Sequence, residues 1–138
     1  MKTFFDSSAF AKRYVEEPGS QAVDTLCTAA TELAVSIVCI PEIISALNRR
    51  VRERSLSARQ YEMVKESLSD DIRDVLIVNL TPQVITTCTT ILEASPARAM
   101  DTLHIACAVQ WGAELFVSAD RKQILAAKRA GLRTKSVY

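Results

Sequence analysis

Apolar and polar positions alternate along this chain in two periods. Residues 2–5 (KTFF) are β-prone and apolar at their end, which predicts a strand stopping at Asp6. Ser7 and Ser8 offer N-cap oxygens for a helix running to about Val15, and the stretch 16–20 (EEPGS) is a turn. A helix is expected over 21–30, then a buried strand rich in β-branched residues over 33–39 (LAVSIVC). Pro41 suits the first position of the next helix, with Ile43, Ile44, Leu47 and Val51 as its apolar stripe. Its other face carries Arg49, Arg50, Arg52 and Arg54. Ser57 caps a further helix with Tyr61, Val64 and Leu68 on one side. The stretch 75–80 (VLIVNL) reads as a strand, and Thr81-Pro82 starts a helix ending near Ala94. After a loop over 95–98, a helix with Asp101 in its first turn stops at Gly112. A strand over 115–117 leads to Ser118-Ala119-Asp120, which opens the last long helix, and 134–137 is a final edge strand.

Strands alternating with helices imply right-handed crossovers and a sheet covered on both faces. The expectation is one domain over 1–138: an α/β fold with three layers, α/β/α, around a mainly parallel sheet. Ligands of such sheets bind outside the carboxyl ends of the strands. Asp6 and Asp120 follow strands, Glu42 follows the second strand by a few residues, and Asp101 enters from a helix N-terminus. All four acids are thus expected at one edge. Carboxylates brought close together repel unless a cation sits between them.

Composition narrows the picture. Apolar residues make up 49% of 138, enough for a real core. Every apolar run is interrupted within a strand length, so no membrane span is expected, and no signal peptide precedes the first strand. The expected location is the cytoplasm. Cys27, Cys39, Cys88 and Cys107 lie far apart in apolar segments and read as small buried hydrophobes. Net charge is +1, which excludes a generally basic nucleic-acid binder. Neutralising four of the 16 acids would leave 12 against 17 basic residues, about +5 on the remaining surface.

Carboxylates suit Mg²⁺ or Mn²⁺, which prefer hard oxygen donors and can polarise a phosphate and activate water. The single histidine, His104, lies three residues after Asp101 and reads as a packed residue able to orient it. Aspartate and glutamate are also common in first helical turns on electrostatic grounds alone, so no one of the four is diagnostic. Asp6 is the hardest to explain so, because an unpaired carboxylate ending a central strand is costly.

At these residues the sequence resembles PIN-domain proteins of the VapC type. The opening FFDSSAFAKRYVEEPGS is similar to the family's first segment. PEIISALNRR, RAMDTLHIACA and SADRKQILAAKRAGL resemble its second, third and fourth, in order along nearly the whole chain. The resemblance implies a Mg²⁺- or Mn²⁺-dependent endoribonuclease, usually the toxin of a type II toxin–antitoxin pair, hydrolysing RNA phosphodiesters with metal-activated water. It carries the roles of metal ligand and catalytic residue to Asp6, Glu42, Asp101 and Asp120. Ser8 and Ser118 match supporting hydroxyl positions, which also read as N-cap or turn hydroxyls. The implied partners are an RNA, possibly a transfer RNA, a cognate antitoxin and a second copy of the chain.

Among basic residues near the acidic segments, Arg98 is the leading phosphate-binding candidate, with Lys12 and Arg121 beside it. Aromatic residues are few, so no stacking platform is evident. Tyr14, Ile44 and Tyr61 are candidates for a partner groove or for core. The alternative function is a non-catalytic PIN-like binding module, which predicts loss of an acid. A phosphatase using Asp6 as nucleophile commonly wants an acid two residues on, where Ser8 stands. A receiver-like domain needs paired acids and a late lysine that are not found.

Overall fold

The structure, a computed structural model, describes residues 1–138. Its elements, in chain order, are β1 Lys2–Phe5, α1 Ser7–Phe10, α2 Ser20–Ala29, β2 Glu32–Ser36, α3 Cys39–Arg52, α4 Ala58–Asp74 and β3 Leu76–Val78. They continue with α5 Pro82–Ala94, α6 Ala99–Trp111, β4 Leu115–Ser118, α7 Arg121–Arg129 and β5 Thr134–Ser136. The five strands form one all-parallel sheet in the order β3-β2-β1-β4-β5. The expected three-layer α/β/α architecture is therefore present.

Both faces of the sheet are dry, which is why its strands read as near-continuous apolar runs. Phe4, Ala34 and Phe116 are in register across β2, β1 and β4, and pack with α5, α6 and α7 in one core. The Phe4 and Phe116 rings stack with centroids 5.7 Å apart. Phe5, Val35 and Val117 point the other way, into a second core with α1, α3 and α4. Such alternation ties each strand's register to its side-chain pattern, since a one-residue slip would exchange the two cores.

The sheet grows in one direction from β1 to β3 and in the other from β4 to β5. The reversal lies between β1 and β4, where a crevice opens at the carboxyl ends of the strands. Asp6 follows β1 and Asp120 follows β4, so the topology itself brings them to that crevice.

Several boundaries differ from the sequence expectation. β2 stops at Ser36, which pairs with Val78 at the end of β3. Beyond that point the Ile37 amide still bonds the Val78 carbonyl at 2.9 Å, the Val38 amide turns back to Ser36 Oγ at 3.3 Å, and α3 begins at Cys39 with Pro41 as its third residue. The helix after Asp6 lasts four residues before tightening into a 3-10 turn at Ala11–Arg13. Gly19 then holds φ at 94°, and a Cβ there would lie 2.2 Å from the carbonyl oxygen of Val137. Only glycine lets this turn approach the end of β5. Gly112 ends α6 in the left-handed conformation, as expected. Arg54 lies beyond the end of α3 with φ at 59°, so the arginine face of that helix is shorter than the sequence suggested. Ser57 and Gln60 form a complete capping box on α4.

Tyr14, Ile44 and Tyr61, candidates for a partner groove or for core, are engaged within the fold. The Tyr14 hydroxyl donates to Asp71 Oδ2 at 2.6 Å, Tyr61 accepts from Asn48 at 3.1 Å, and Ile44 packs on the second core.

Candidate active site

Asp6 is the best-held acid. It is 3% exposed, and it caps α1 with its own carboxylate. Oδ1 accepts from the Ala9 amide at 3.0 Å and from Ser8 Oγ at 2.7 Å, and Oδ2 accepts from Ser118 Oγ at 2.6 Å. The expectation that Ser7 or Ser8 caps this helix is thus corrected. The strand-end carboxylate reaches the first free amide, and the hydroxyls are left to hold the carboxylate. Ser8 and Ser118 in turn accept from the amides of Ala119 and Asp120, each at 3.0 Å, which ties the ends of β1 and β4 together. Burial pushes the Asp6 pKa up, and the bonds from Ser118, Ser8 and Ala9 oppose that without cancelling it.

Glu42 sits in the first turn of α3 and faces the same crevice. Its Oε1 accepts from Ser7 Oγ at 2.7 Å and makes a very short bond to His104 Nε2. His104 was expected to orient Asp101. Instead its buried ring reaches from α6 to α3 and holds Glu42. A carboxylate only accepts, so Nε2 carries the proton and Nδ1 is left buried without a partner. Burial alone would raise the Glu42 pKa, but the bonds from His104 and Ser7 outweigh it, and the net shift is downward. Cys39 lies beside the pair, and burial, with the charges of Asp6 and Glu42, pushes its thiol up to about 12. It is no thiolate donor at neutral pH.

Asp101 and Asp120 are placed differently. Asp101 stands in the first turn of α6, and its carboxylate has no hydrogen-bond or ion-pair partner at all. Its pKa is raised first by burial, then by the charges of Asp120 and Glu42, against a pull from His104 and Arg98. Asp120 is exposed and caps α7, accepting from the amides of Lys122 at 2.8 Å and Gln123 at 3.4 Å. Gln123 is buried, and its Nε2 donates to the Asp101 carbonyl at 2.9 Å, pinning the first turn of α6 against α7. Its Oε1 has no partner. The two orphaned buried side-chain atoms of the molecule thus belong to residues that position the acids.

Asp101 and Asp120 line an open groove with Arg98, Arg121 and Lys122. Arg98 is exposed at the N-cap of α6, free to meet a phosphate. Arg121 lies over the Tyr138 ring at 4.5 Å. Lys12 is already committed: its buried ammonium donates to Glu17 at 3.2 Å and to the Pro18 carbonyl at 2.7 Å, holding the turn before α2. It lines the same groove as Asp101 and Asp120, with its ammonium already partnered.

All four acids lie at the carboxyl edge, but they do not collapse into one tight cluster. No group of three or more His, Cys, Asp or Glu side chains is arranged to chelate an ion. The expected mutual repulsion is relieved in part by hydroxyl and imidazole donors, which occupy Asp6 and Glu42. The donor chemistry still fits a hard cation, because the available groups are carboxylate and hydroxyl oxygens and the nearby thiol is protonated. An unpartnered Asp101, pushed up by burial and then by neighbouring negative charge, is consistent with the same ion. Among these residues, Ser7 and Gln123 had no sequence signal, since each acts on an element remote in the chain.

The model of the PIN domain family matches residues 3–129. Among solved structures, the chain is similar to a toxin–antitoxin complex from Klebsiella pneumoniae, with TM-score 0.72 and 11% identity over 99% of this chain and 98% of that one. It is similar to VapC20 of Mycobacterium tuberculosis, a sarcin-ricin loop cleaving toxin, with TM-score 0.68 and 17% identity over 90% and 94%. It is also similar to VapBC2 from Rickettsia felis bound to a promoter DNA fragment, with TM-score 0.70 and 13% identity over 99% and 98%. No curated protein sequence matches it.

Proposed function

Because this chain belongs to the PIN-domain family, we propose that it is a divalent-metal-dependent endoribonuclease and the toxin of a type II toxin–antitoxin pair. The observation that carries this reading is the placement of Asp6, Glu42, Asp101 and Asp120 around the crevice where the sheet reverses direction. Mg²⁺ or Mn²⁺ bound there would neutralise phosphate charge and make water a stronger nucleophile. Asp6, Glu42, Asp101 and Asp120 would hold the ion with the hard oxygen donors that Mg²⁺ prefers. Ser8 and Ser118 hold the Asp6 carboxylate in one orientation. His104 and Ser7 keep Glu42 ionised and fixed. Arg98 and Arg121 meet the phosphates of an RNA strand lying in the groove.

An antitoxin is the expected partner, as in the toxin–antitoxin complexes whose fold this chain shares. A homodimer and a structured RNA substrate complete the proposal. No helix is long and apolar enough to cross a membrane, and the cytoplasm is the proposed location. The test is RNA cleavage in Mg²⁺ by wild type, Asp6→Asn and Asp101→Asn, with thermal melting in Mn²⁺ alongside. Both variants are expected to lose cleavage and most of the Mn²⁺-induced rise in Tm. Cleavage at the wild-type rate by either one overturns the assignment. A wild type that neither cleaves RNA nor responds to Mn²⁺ supports the binding-module alternative.

A further inference from the structure

The open groove holds one side chain that phosphate binding and metal binding leave unexplained. Tyr138 lies at its rim, 47% exposed, among Asp101, Asp120, Arg98, Arg121 and Lys122. The Arg121 guanidinium covers one side of the ring at 4.5 Å from its centroid. The pair is carried by two neighbouring elements, because α7 starts at Arg121 and β5 ends two residues before Tyr138. An exposed aromatic ring backed by a guanidinium is a flat, electron-rich surface with one face open to solvent.

Isolated exposed aromatics need no explanation. This one stands in the same polar groove as two of the acids, where three cations can follow a phosphodiester backbone. A base attached to that backbone has to go somewhere, and the open face of the ring is the aromatic surface that the groove supplies. We infer that Tyr138, braced by Arg121, is a stacking platform for an unpaired nucleobase adjacent to the scissile phosphate. The inference deepens the ribonuclease reading and rests on it. Stacking does not distinguish bases by hydrogen bonds, so the platform selects unpaired over paired RNA rather than one sequence. Paired bases are already stacked on their neighbours and have no free face to offer.

The test uses full-length chain carrying Asp6→Asn, so that RNA stays intact, and a fluorescently labelled hairpin with an unpaired loop. Tyr138→Ala is expected to weaken binding about 5- to 100-fold, the usual range for loss of one stacked base. Tyr138→Trp is expected to bind within about twofold of the parent, because any large aromatic ring supplies the surface. Replacing one loop nucleotide with an abasic residue should weaken the parent similarly and leave Tyr138→Ala no weaker than before. Equal binding by Tyr138→Ala and the parent overturns the platform, as does equal loss on a fully paired duplex. A change of oligomeric state in Tyr138→Ala, with RNA affinity per protomer unchanged, would mean that the ring packs against a second copy. If Tyr138→Ala in the Asp6→Asn chain binds RNA as that parent does while unmutated chain still cleaves RNA, the platform falls and the ribonuclease reading stands. If unmutated chain neither binds nor cleaves RNA, both fall.

Discussion

The two halves of the acidic edge are held in opposite ways. Asp6 and Glu42 are clamped: four hydroxyl, imidazole and amide donors from α1 and α6 converge on their carboxylates. Ser118 adds a fifth. Asp101 and Asp120 are open: one has no side-chain partner, and the other is bonded only by the amides of its own helix. The clamped half is bound into the fold and contributes to holding it together. The open half is left with negative charge that the protein itself does not satisfy. Sites that must receive a cation and a phosphate need both, a fixed reference and an unsatisfied side facing the groove.

The widest separation between the halves should appear in stability without metal. Asp6→Ala strips acceptors from Ser8, Ser118 and the Ala9 amide, and should cost about 3–4 kcal/mol in urea unfolding with EDTA. Asp101→Ala should cost nothing or stabilise slightly, since it relieves repulsion and breaks no bond. Equal losses in the two variants would break the comparison.

The next effect probes the clamp on Glu42. His104→Ala removes a buried ring and the strongest donor to that carboxylate, and should cost about 2 kcal/mol. His104→Gln, whose amide reaches a similar point, should recover part of that loss and most of any lost Mn²⁺ affinity. Mn²⁺ affinity unchanged in His104→Ala would show that the clamp serves packing alone.

The smallest effect is a difference in pH dependence, again in EDTA. The raised Asp101 pKa means that its contribution is fully present below 3.8 and lost as pH rises through the folded value. Asp101→Asn should therefore gain on wild type as pH climbs. The lowered Glu42 pKa works in reverse: its contribution is present above 4.5 and lost as pH falls through the folded value. Glu42→Gln should lose ground at neutral pH and regain it in acid. Difference curves of the same sign would erase this contrast between Glu42 and Asp101.

The sequence by itself determined the order of strands and helices and put four acids at element ends. The apolar runs in KTFF and 33–36 and the buried run after Asp101 predicted the strands and a covering helix, because both are local patterns. Asp6, Glu42, Asp101 and Asp120 could be assigned to one sheet edge because each sits at an element end, but how near they come to one another could not. Only the tertiary structure decided what holds them. His104 reaches Glu42 rather than its near neighbour Asp101, Lys12 turns inward to the Pro18 carbonyl, and Tyr138 meets Arg121 at the groove. Those choices depend on which groups face one another across turns and between elements, not on the pattern within any one element. Hydrogen-bond partners are selected at distances of about 3 Å, and periodicity along one strand or helix carries no information on that scale about its neighbours.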